Sequence, residues 1–276
     1  MSVPEDTYKG PRHNVEYKRL DKQHELLRNY QNNKFILAPI DRSKSNLRIL
    51  DSATGVGEWL VSASDEVSPT ATLIGADISP KHFASHLPKN VSLIGQNIFE
   101  EWPAEYHNSF DLVHQRFVLS TCSESASVSA IEKLFKCVKL GGYIQLHEGD
   151  SLTIQEGPNH QAFMRYRDFV KKAWSLQDFS PAPGLKLKDW LADAGAVDLV
   201  EEVQVMRAGA AAENPEQGQL ATDVLLALLD SLRMHMGDFF FSQEDFRTLR
   251  SDMERELKEF GNTWHYHIVY GRKPAN

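Results

Sequence analysis

Leu47-Arg48-Ile49-Leu50-Asp51-Ser52-Ala53-Thr54-Gly55-Val56-Gly57 is an apolar run that ends in a carboxylate and enters a loop with two glycines, with a helix expected from Glu58. Small residues let backbone amides approach a ligand, and the start of a helix adds partial positive charge. Two acids flank the loop. Asp51 ends the run, where its carboxylate would face a ligand crevice, and Asp77 ends the next run, where it can accept both hydroxyls of a ribose. A dinucleotide fingerprint needs a further Gly or Ala three residues after its second glycine, and here that position is Leu60. A carboxylate ahead of the glycines repels a pyrophosphate and attracts a cation. The stretch suits a phosphate-free nucleoside carrying a positive centre and an amino group.

Outward from this segment, apolar runs at Leu47–Asp51, Leu73–Asp77, Val91–Gln96, Phe110–His114 and Tyr143–Leu146 alternate with helical stretches at Gly57–Ser64, near Pro80–His86 and at Ala126–Val138. Near-continuous apolar strands separated by helices are parallel strands covered on both faces, so the fold class is α/β. Beyond Gly149, helices are expected at about 158–177 and 185–194, a strand near Val197–Met206, helices at Glu216–Met236 and Ser242–Phe260, and a last strand at Thr263–Arg272. Ala208–Ala212 reads as a loop, and its Ala-Gly-Ala-Ala-Ala sequence could also start the following helix. Residues 1–13 read as a loose arm, after which Asn14 can cap a helix with Tyr17, Leu20, His24 and Leu27 on one face.

The chain has 276 residues, 41% hydrophobic and 25% charged, enough for a core that needs neither disulfide nor structural metal. Its formal net charge of -8 opposes generic nucleic-acid binding. Two cysteines, Cys122 and Cys137, fit a reducing compartment. The start MSVPEDTYKG lacks a basic and apolar leader, and the densest apolar run, Val224–Leu229, is too short to span a bilayer. A cytoplasmic location, with no membrane partner, is expected. Asn90-Val91-Ser92 has glycosylation spacing, which is read as a chance match.

These residues resemble the class I S-adenosylmethionine-dependent methyltransferases. Asp51–Gly57 looks like the first motif of that family with Ala53 in place of its first glycine, and Ala76-Asp77-Ile78 like the second. Gln96-Asn97-Ile98 stands at the adenine edge, Phe110–His114 at the fourth strand, Leu140-Gly141-Gly142-Tyr143 at the turn into the fifth, and Trp264–Arg272 at an antiparallel last strand. More narrowly, residues 17–24, His114-Gln115-Arg116 and Gln145-Leu146-His147-Glu148 are similar to the fungal secondary-metabolite methyltransferases that resemble the regulator LaeA. The resemblance implies a Rossmann-like seven-stranded sheet in the order 3-2-1-4-5-7-6, with its last strand antiparallel and helical cap elements. It also implies an arm and lid helix over 1–46 and a methyltransferase domain over 47–276, with helical insertions at about 158–194 and 216–260. S-adenosylmethionine is the implied cofactor.

Expected cofactor contacts are Tyr17, Asp51, Ala53, Gly55, Gly57, Asp77, Ile78, Asn97, Ile98 and His114. Asp77 is assigned the ribose, Asp51 the methionine part, and Asn97 with Ile98 the adenine. His114 and Glu148 are the catalytic candidates: an imidazole can take a proton near neutrality, and Glu148 can line the acceptor pocket while its neighbour His147 points to the other strand face. Phe163, Tyr166, Phe169 and Trp174, with Met234, Met236 and Phe239-Phe240-Phe241, read mainly as core and partly as wall of a broad apolar pocket. His265 and His267 share a strand face without a third ligand, so no metal is expected.

The reaction implied is methyl transfer to an apolar or aromatic small molecule. His114-Gln115-Arg116-Phe117 is not the Asn/Asp-Pro-Pro-Tyr/Phe sequence of many nitrogen methylators, which tilts the acceptor toward oxygen. Two other readings stay open: a cofactor-binding regulator acting through protein partners, and an enzyme that uses the same cofactor without transferring methyl.

Overall fold

The computed structural model describes residues 6–237 and 242–275. Its centre is a seven-stranded sheet built from β1 (Arg48–Ser52), β2 (Thr72–Asp77), β3 (Val91–Gly95), β4 (Phe110–Arg116), β5 (Val138–Asp150), β6 (Val197–Ala208) and β7 (Asn262–Arg272). The order is β3-β2-β1-β4-β5-β7-β6, and β7 runs antiparallel to both β5 and β6. Order, orientation and class agree with the expected Rossmann-like sheet.

Helices cover both faces, as all-buried parallel strands require. Ile49, Leu73 and Leu112 pack beneath α2 (Glu58–Ser64) through Trp59 and Leu60, together with Phe35 and Ile36. On the other face Leu50, Val113 and Ile144 meet α3 (Glu124–Lys136) and α5 (Leu187–Asp193). Leu60, which excludes the dinucleotide fingerprint, is accommodated by Gly75 of β2, where an added Cβ would lie 2.7 Å from Leu60 Cδ1. Close helix–strand packing is kept, with the glycine on the strand.

A third apolar cluster forms a cap. α1 (Asn14–Tyr30), α4 (Gln161–Leu176), α6 (Pro215–Met236) and α7 (Gln243–Glu259) bury Leu26, Phe163, Leu229 and Met253 with Tyr266 of β7. Phe163, Tyr166 and Phe169 of the aromatic stripe belong to this core, while Phe239, Phe240 and Phe241 lie outside the described residues.

Several boundaries differ from expectation. β4 continues two residues past His114 to Arg116, and β5 spans 13 residues because β7 pairs along its far half. In the short stretch expected near Pro80–His86, only Pro80–His82 is helical, as a 3-10 turn, and Gly209–Ala211 is another such turn. His13, not Asn14, caps α1: its Nδ1 accepts from Glu16 N at 3.3 Å. The face that α1 buries deepest is Glu16, Arg19, Gln23, Leu26 and Leu27 rather than Tyr17, Leu20 and His24, which are half-buried. The Arg19 guanidinium grips Glu16 with two hydrogen bonds of 2.7 and 2.9 Å, Ser231 Oγ donates to Glu16 at 2.6 Å, and Gln23 donates to Tyr266 Oη at 2.8 Å. With each partner satisfied, this polar seam can replace an apolar stripe. No helix among the described residues is long and apolar enough to cross a membrane.

Candidate active site

A cavity of about 530 Å³ opens between the carboxyl edge of the sheet and the cap. Its position follows from the topology: in open α/β sheets ligands bind outside the carboxyl ends of the strands, where the strand order reverses between β1 and β4. Of the expected site residues, Tyr17, Ala53, Gly55, Asp77, Ile78, Asn97, Ile98 and Glu148 line it. Asp51, Gly57 and His114 do not.

At the β1 side the loop turns through left-handed backbone at Ala53 (φ 53°), Gly55 (φ 61°) and Gly57 (φ 96°). A Cβ on Gly55 would meet nothing within 4 Å, so the loop leaves open space over this backbone. Asp77 Oδ2 accepts from Gly55 N at 3.0 Å and Oδ1 from Ser79 N at 2.9 Å, which fixes the carboxylate while leaving each oxygen a further lone pair for a ligand hydroxyl. Burial raises the pKa of Asp77, a cost that two hydroxyl donors would offset. The Asn97 amide donates to Thr7 Oγ1 of the arm at 3.2 Å, and its oxygen accepts from Phe99 N at 3.0 Å. The Tyr17 ring stands 5.0 Å from that of His82 over the same end. Fixed acid, open glycine loop and the ordered edge at Asn97 fit a phosphate-free nucleoside.

The structure departs from expectation at Asp51 and His114. Both are in register on β1 and β4, both are at most 2% exposed, and His114 Nδ1–H donates to Asp51 Oδ1 at 2.7 Å. Thr54 Oγ1 donates to the other Asp51 oxygen at 2.6 Å. The His114 ring stacks on Trp59 of α2 at 3.7 Å and 5°. Burial lowers its pKa, so the ring is neutral, and it braces the loop from beneath the helix instead of facing the cavity. Asp51 is committed to the same brace and, at 2% exposed, does not reach the cavity.

Sequence reasoning missed Arg116, Glu58 and Asp21, which all line the cavity. Arg116 ends β4 on the face shared with His114, two residues on; continuing the period-two pattern past His114 was the signal that could have found it. Its guanidinium donates to His24 Nδ1 at 2.9 Å. His24 is held neutral, with its pKa pushed down to about 3 by burial and then by the Arg116 charge, and its Nε2 lies 2.9 Å from Ser62 Oγ.

Glu148 lies on the β5 side. It is 1% exposed, its Oε1 accepts from Val118 N at 2.9 Å and Leu119 N at 2.8 Å, and its Oε2 is buried with no protein partner. Burial drives its pKa up to about 7, opposed by these backbone donors. A carboxyl that titrates near neutrality in a cleft, with one oxygen unused, is equipped to hold or take a proton from a bound molecule. Phe117, Trp174, Phe179, Leu228, Leu232 and Tyr266 line the same cavity. The two ends are three strand spacings apart in the order β2-β1-β4-β5, roughly 14 Å between β2 and β5 at about 4.8 Å per spacing. Among the described residues no three His, Cys, Asp or Glu side chains gather as metal ligands; His267 instead pairs with Glu201 at 2.8 Å.

Residues 43–177 match a family model described as a methyltransferase domain. The N-methyltransferase tcpN of Claviceps purpurea is 41% identical over 268 residues, 95% of each chain. The N-methyltransferase sirN of Leptosphaeria maculans is 32% identical over 277 residues, covering 99% of this chain and 97% of its own. A solved S-adenosylmethionine-dependent methyltransferase of Archaeoglobus fulgidus has a TM-score of 0.52 at 15% identity, over 93% of this chain and 99% of that one, a likeness of fold. The chain belongs to the S-adenosylmethionine-dependent methyltransferases, with S-adenosylmethionine as cofactor. The names of the two relatives specify nitrogen, against the oxygen preference drawn from the segment after β4. Absence of one nitrogen-methylator motif removes one way of holding an amine, not the others.

Proposed function

We propose that this chain methylates a nitrogen of a small molecule of secondary metabolism, with the nucleoside held at the β1–β3 side and the acceptor at the β5 side. The observation that carries the reading is the buried, unpartnered Oε2 of Glu148 in the cavity wall. A nitrogen bearing a proton finds its natural counterpart there, and the relatives named as N-methyltransferases agree in direction.

When bound, the cofactor supplies an electrophilic methyl on a sulfonium. Asp77 receives the ribose hydroxyls, the Gly55 loop takes the backbone side of the nucleoside, and Asn97 with Ile98 borders the adenine. Tyr17 and residues 7–12 lie over that end and act with α1 as a lid that excludes water. Glu148 accepts the proton the acceptor nitrogen sheds, either before attack, freeing the lone pair, or as the new bond forms. The aromatic and leucine side chains on that side hold a planar or apolar acceptor in line with the methyl; alignment of this kind contributes several kcal/mol of barrier reduction, on the order of 7 or more in the best cases.

The test is incubation of the full chain with a fungal metabolite extract and methyl-labelled S-adenosylmethionine, followed by mass spectrometry and NMR of the labelled product. Label on an N–CH3 group supports the reading. Label on oxygen or carbon, or in no small molecule, overturns it.

A further inference from the structure

Tyr266 of β7 lines the same cavity as Glu148, and its hydroxyl group is held with its hydrogen unspent. The bonds around it run one way. Arg19 Nη1 donates to Gln23 Oε1 at 3.1 Å, and because a guanidinium has no acceptor this contact fixes which end of the Gln23 amide is the oxygen. Gln23 Nε2 then donates to Tyr266 Oη at 2.8 Å, and the Trp264 indole, a donor only, hydrogen-bonds the same oxygen. Both lone pairs of the phenol are thereby taken. Burial raises the Tyr266 pKa, so the hydroxyl keeps its hydrogen, and none of the described residues accepts it. Donors lined up from a buried guanidinium polarise one another, which strengthens the last of them.

The strands place this donor. β4 ends at Arg116, opposite His147, while β5 continues to Asp150 against β7 alone. Along that overhang Glu148 pairs with His267 and Gly149 with Tyr266, so the carboxyl and the phenol approach the cavity from opposite faces of the β5–β7 pair. The Tyr266 ring lies over Gly149, where an added Cβ would be 3.4 Å from its Cε1. Phe117 takes left-handed backbone (φ 53°) directly after β4, uncommon for an aromatic residue, and sets its ring 5.0 Å from that of Tyr266. A molecule seated past the end of β4 lies between an acid that takes a proton and a phenol that gives a hydrogen bond.

We propose that Tyr266 orients the methyl acceptor by donating a hydrogen bond to an oxygen of it, such as a carbonyl, while the nitrogen to be methylated faces Glu148. The inference rests on the acceptor placement proposed above and deepens it: a good acceptor carries such an oxygen beside its nitrogen, and a purely hydrocarbon amine is a poor one. Gln23 is a positioning residue, since its amide holds the phenol oxygen from α1.

A dilution series of the fungal metabolite extract, with the full chain and saturating methyl-labelled S-adenosylmethionine, reads half-saturation by the acceptor before it is purified. Tyr266→Phe, which removes only the hydroxyl, should need about three- to tenfold more extract for half-maximal labelling, the worth of one hydrogen bond. Its affinity for S-adenosylhomocysteine by calorimetry should stay within about twofold of the wild type. The double variant Gln23→Leu, Tyr266→Phe leaves no Gln23 donor facing a phenyl ring; it should shift the half-point by the same factor and covers the case in which the single variant fails to fold. An unchanged half-point overturns the proposal, and so does an equal loss of S-adenosylhomocysteine affinity, which would put Tyr266 at the cofactor. A labelled product with no oxygen beside its N–CH3 group overturns it as well. If the wild type labels no small molecule, the acceptor reading and this inference fall together; if it labels one and the half-point does not move, this inference falls alone.

Discussion

Glu148 is 1% exposed in the cavity wall, and both the stability cost of ionising it and its use follow from that. Its pKa rises from the ordinary 4.5 to about 7 on burial, so the protonated form is favoured in the folded chain. The associated stability is fully present below about pH 4.5 and is lost as pH rises through about 7, amounting to about 3 kcal/mol at 1.36 kcal/mol per unit. Glu148→Gln should therefore melt higher than the wild type at pH 8 and close to it at pH 5, as thermal denaturation at the two pH values would reveal. Methyl transfer by the wild type should rise with pH through about 7 as the carboxylate forms, and a rate that falls over that range counts against Glu148 as proton acceptor. Asp77→Ala should weaken S-adenosylhomocysteine by about ten- to a hundredfold by calorimetry, the worth of charged hydrogen bonds to a ribose. Unchanged affinity removes the assignment. The place of Asp77 and Glu148 on the cavity wall was legible because each ends or nearly ends an apolar strand, where a side chain reaches the crevice. His114 was misread for want of two residues: the strand goes on to Arg116, which leaves the imidazole one pleat deep under Trp59.

Helices and loops show where sequence patterns carry less. The glycine loop could be placed from its glycines and acids, yet Ala53 holds a left-handed φ of 53° that costs an L-residue about 1 kcal/mol. Ala53→Gly removes that strain, partly offset by the greater freedom of glycine in the unfolded chain, and should raise Tm by about 2 °C with cofactor affinity kept or improved. Gly57→Ala should do the opposite, because φ there is 96°, a conformation an L side chain rarely adopts. A pair of melting curves decides it, and a fall for Ala53→Gly would contradict the loop as described. α1 was legible as a helix but not in phase. Tyr17, Leu20 and His24 and the Glu16–Arg19–Gln23 seam all line the cavity, the seam being the more deeply buried, and hydropathy cannot distinguish paired buried charges from a solvated face. The Asp21–Glu58 hydrogen bond was beyond reach for a related reason: it depends on how two helices meet.

At the scale of the molecule, sheet order and strand direction followed from alternating apolar runs together with the family resemblance, since parallel strands with short crossovers leave few topologies open. The cap was harder to read, because α4, α6 and α7 pack mainly on one another and on β7 rather than in alternation with strands. If, as proposed, Asp77 and the glycine loop hold the ligand from below and α1 covers it from above, binding ties cap to sheet. Saturating S-adenosylhomocysteine should slow amide exchange both in α1 and in residues 53–58, and at a hundred times Kd stabilise the fold by about 2.7 kcal/mol. Protection confined to the loop would mean that α1 does not close over the ligand. The two ends of the cavity are separable in function if nucleoside and acceptor occupy them as proposed, and Glu148→Gln separates them most directly. Measured side by side, its affinity for S-adenosylhomocysteine should match the wild type within about twofold, while transfer to the labelled acceptor drops by about 10² to 10⁴, the usual worth of a positioned proton acceptor. Undiminished transfer, or an equal loss of cofactor binding, would contradict the account.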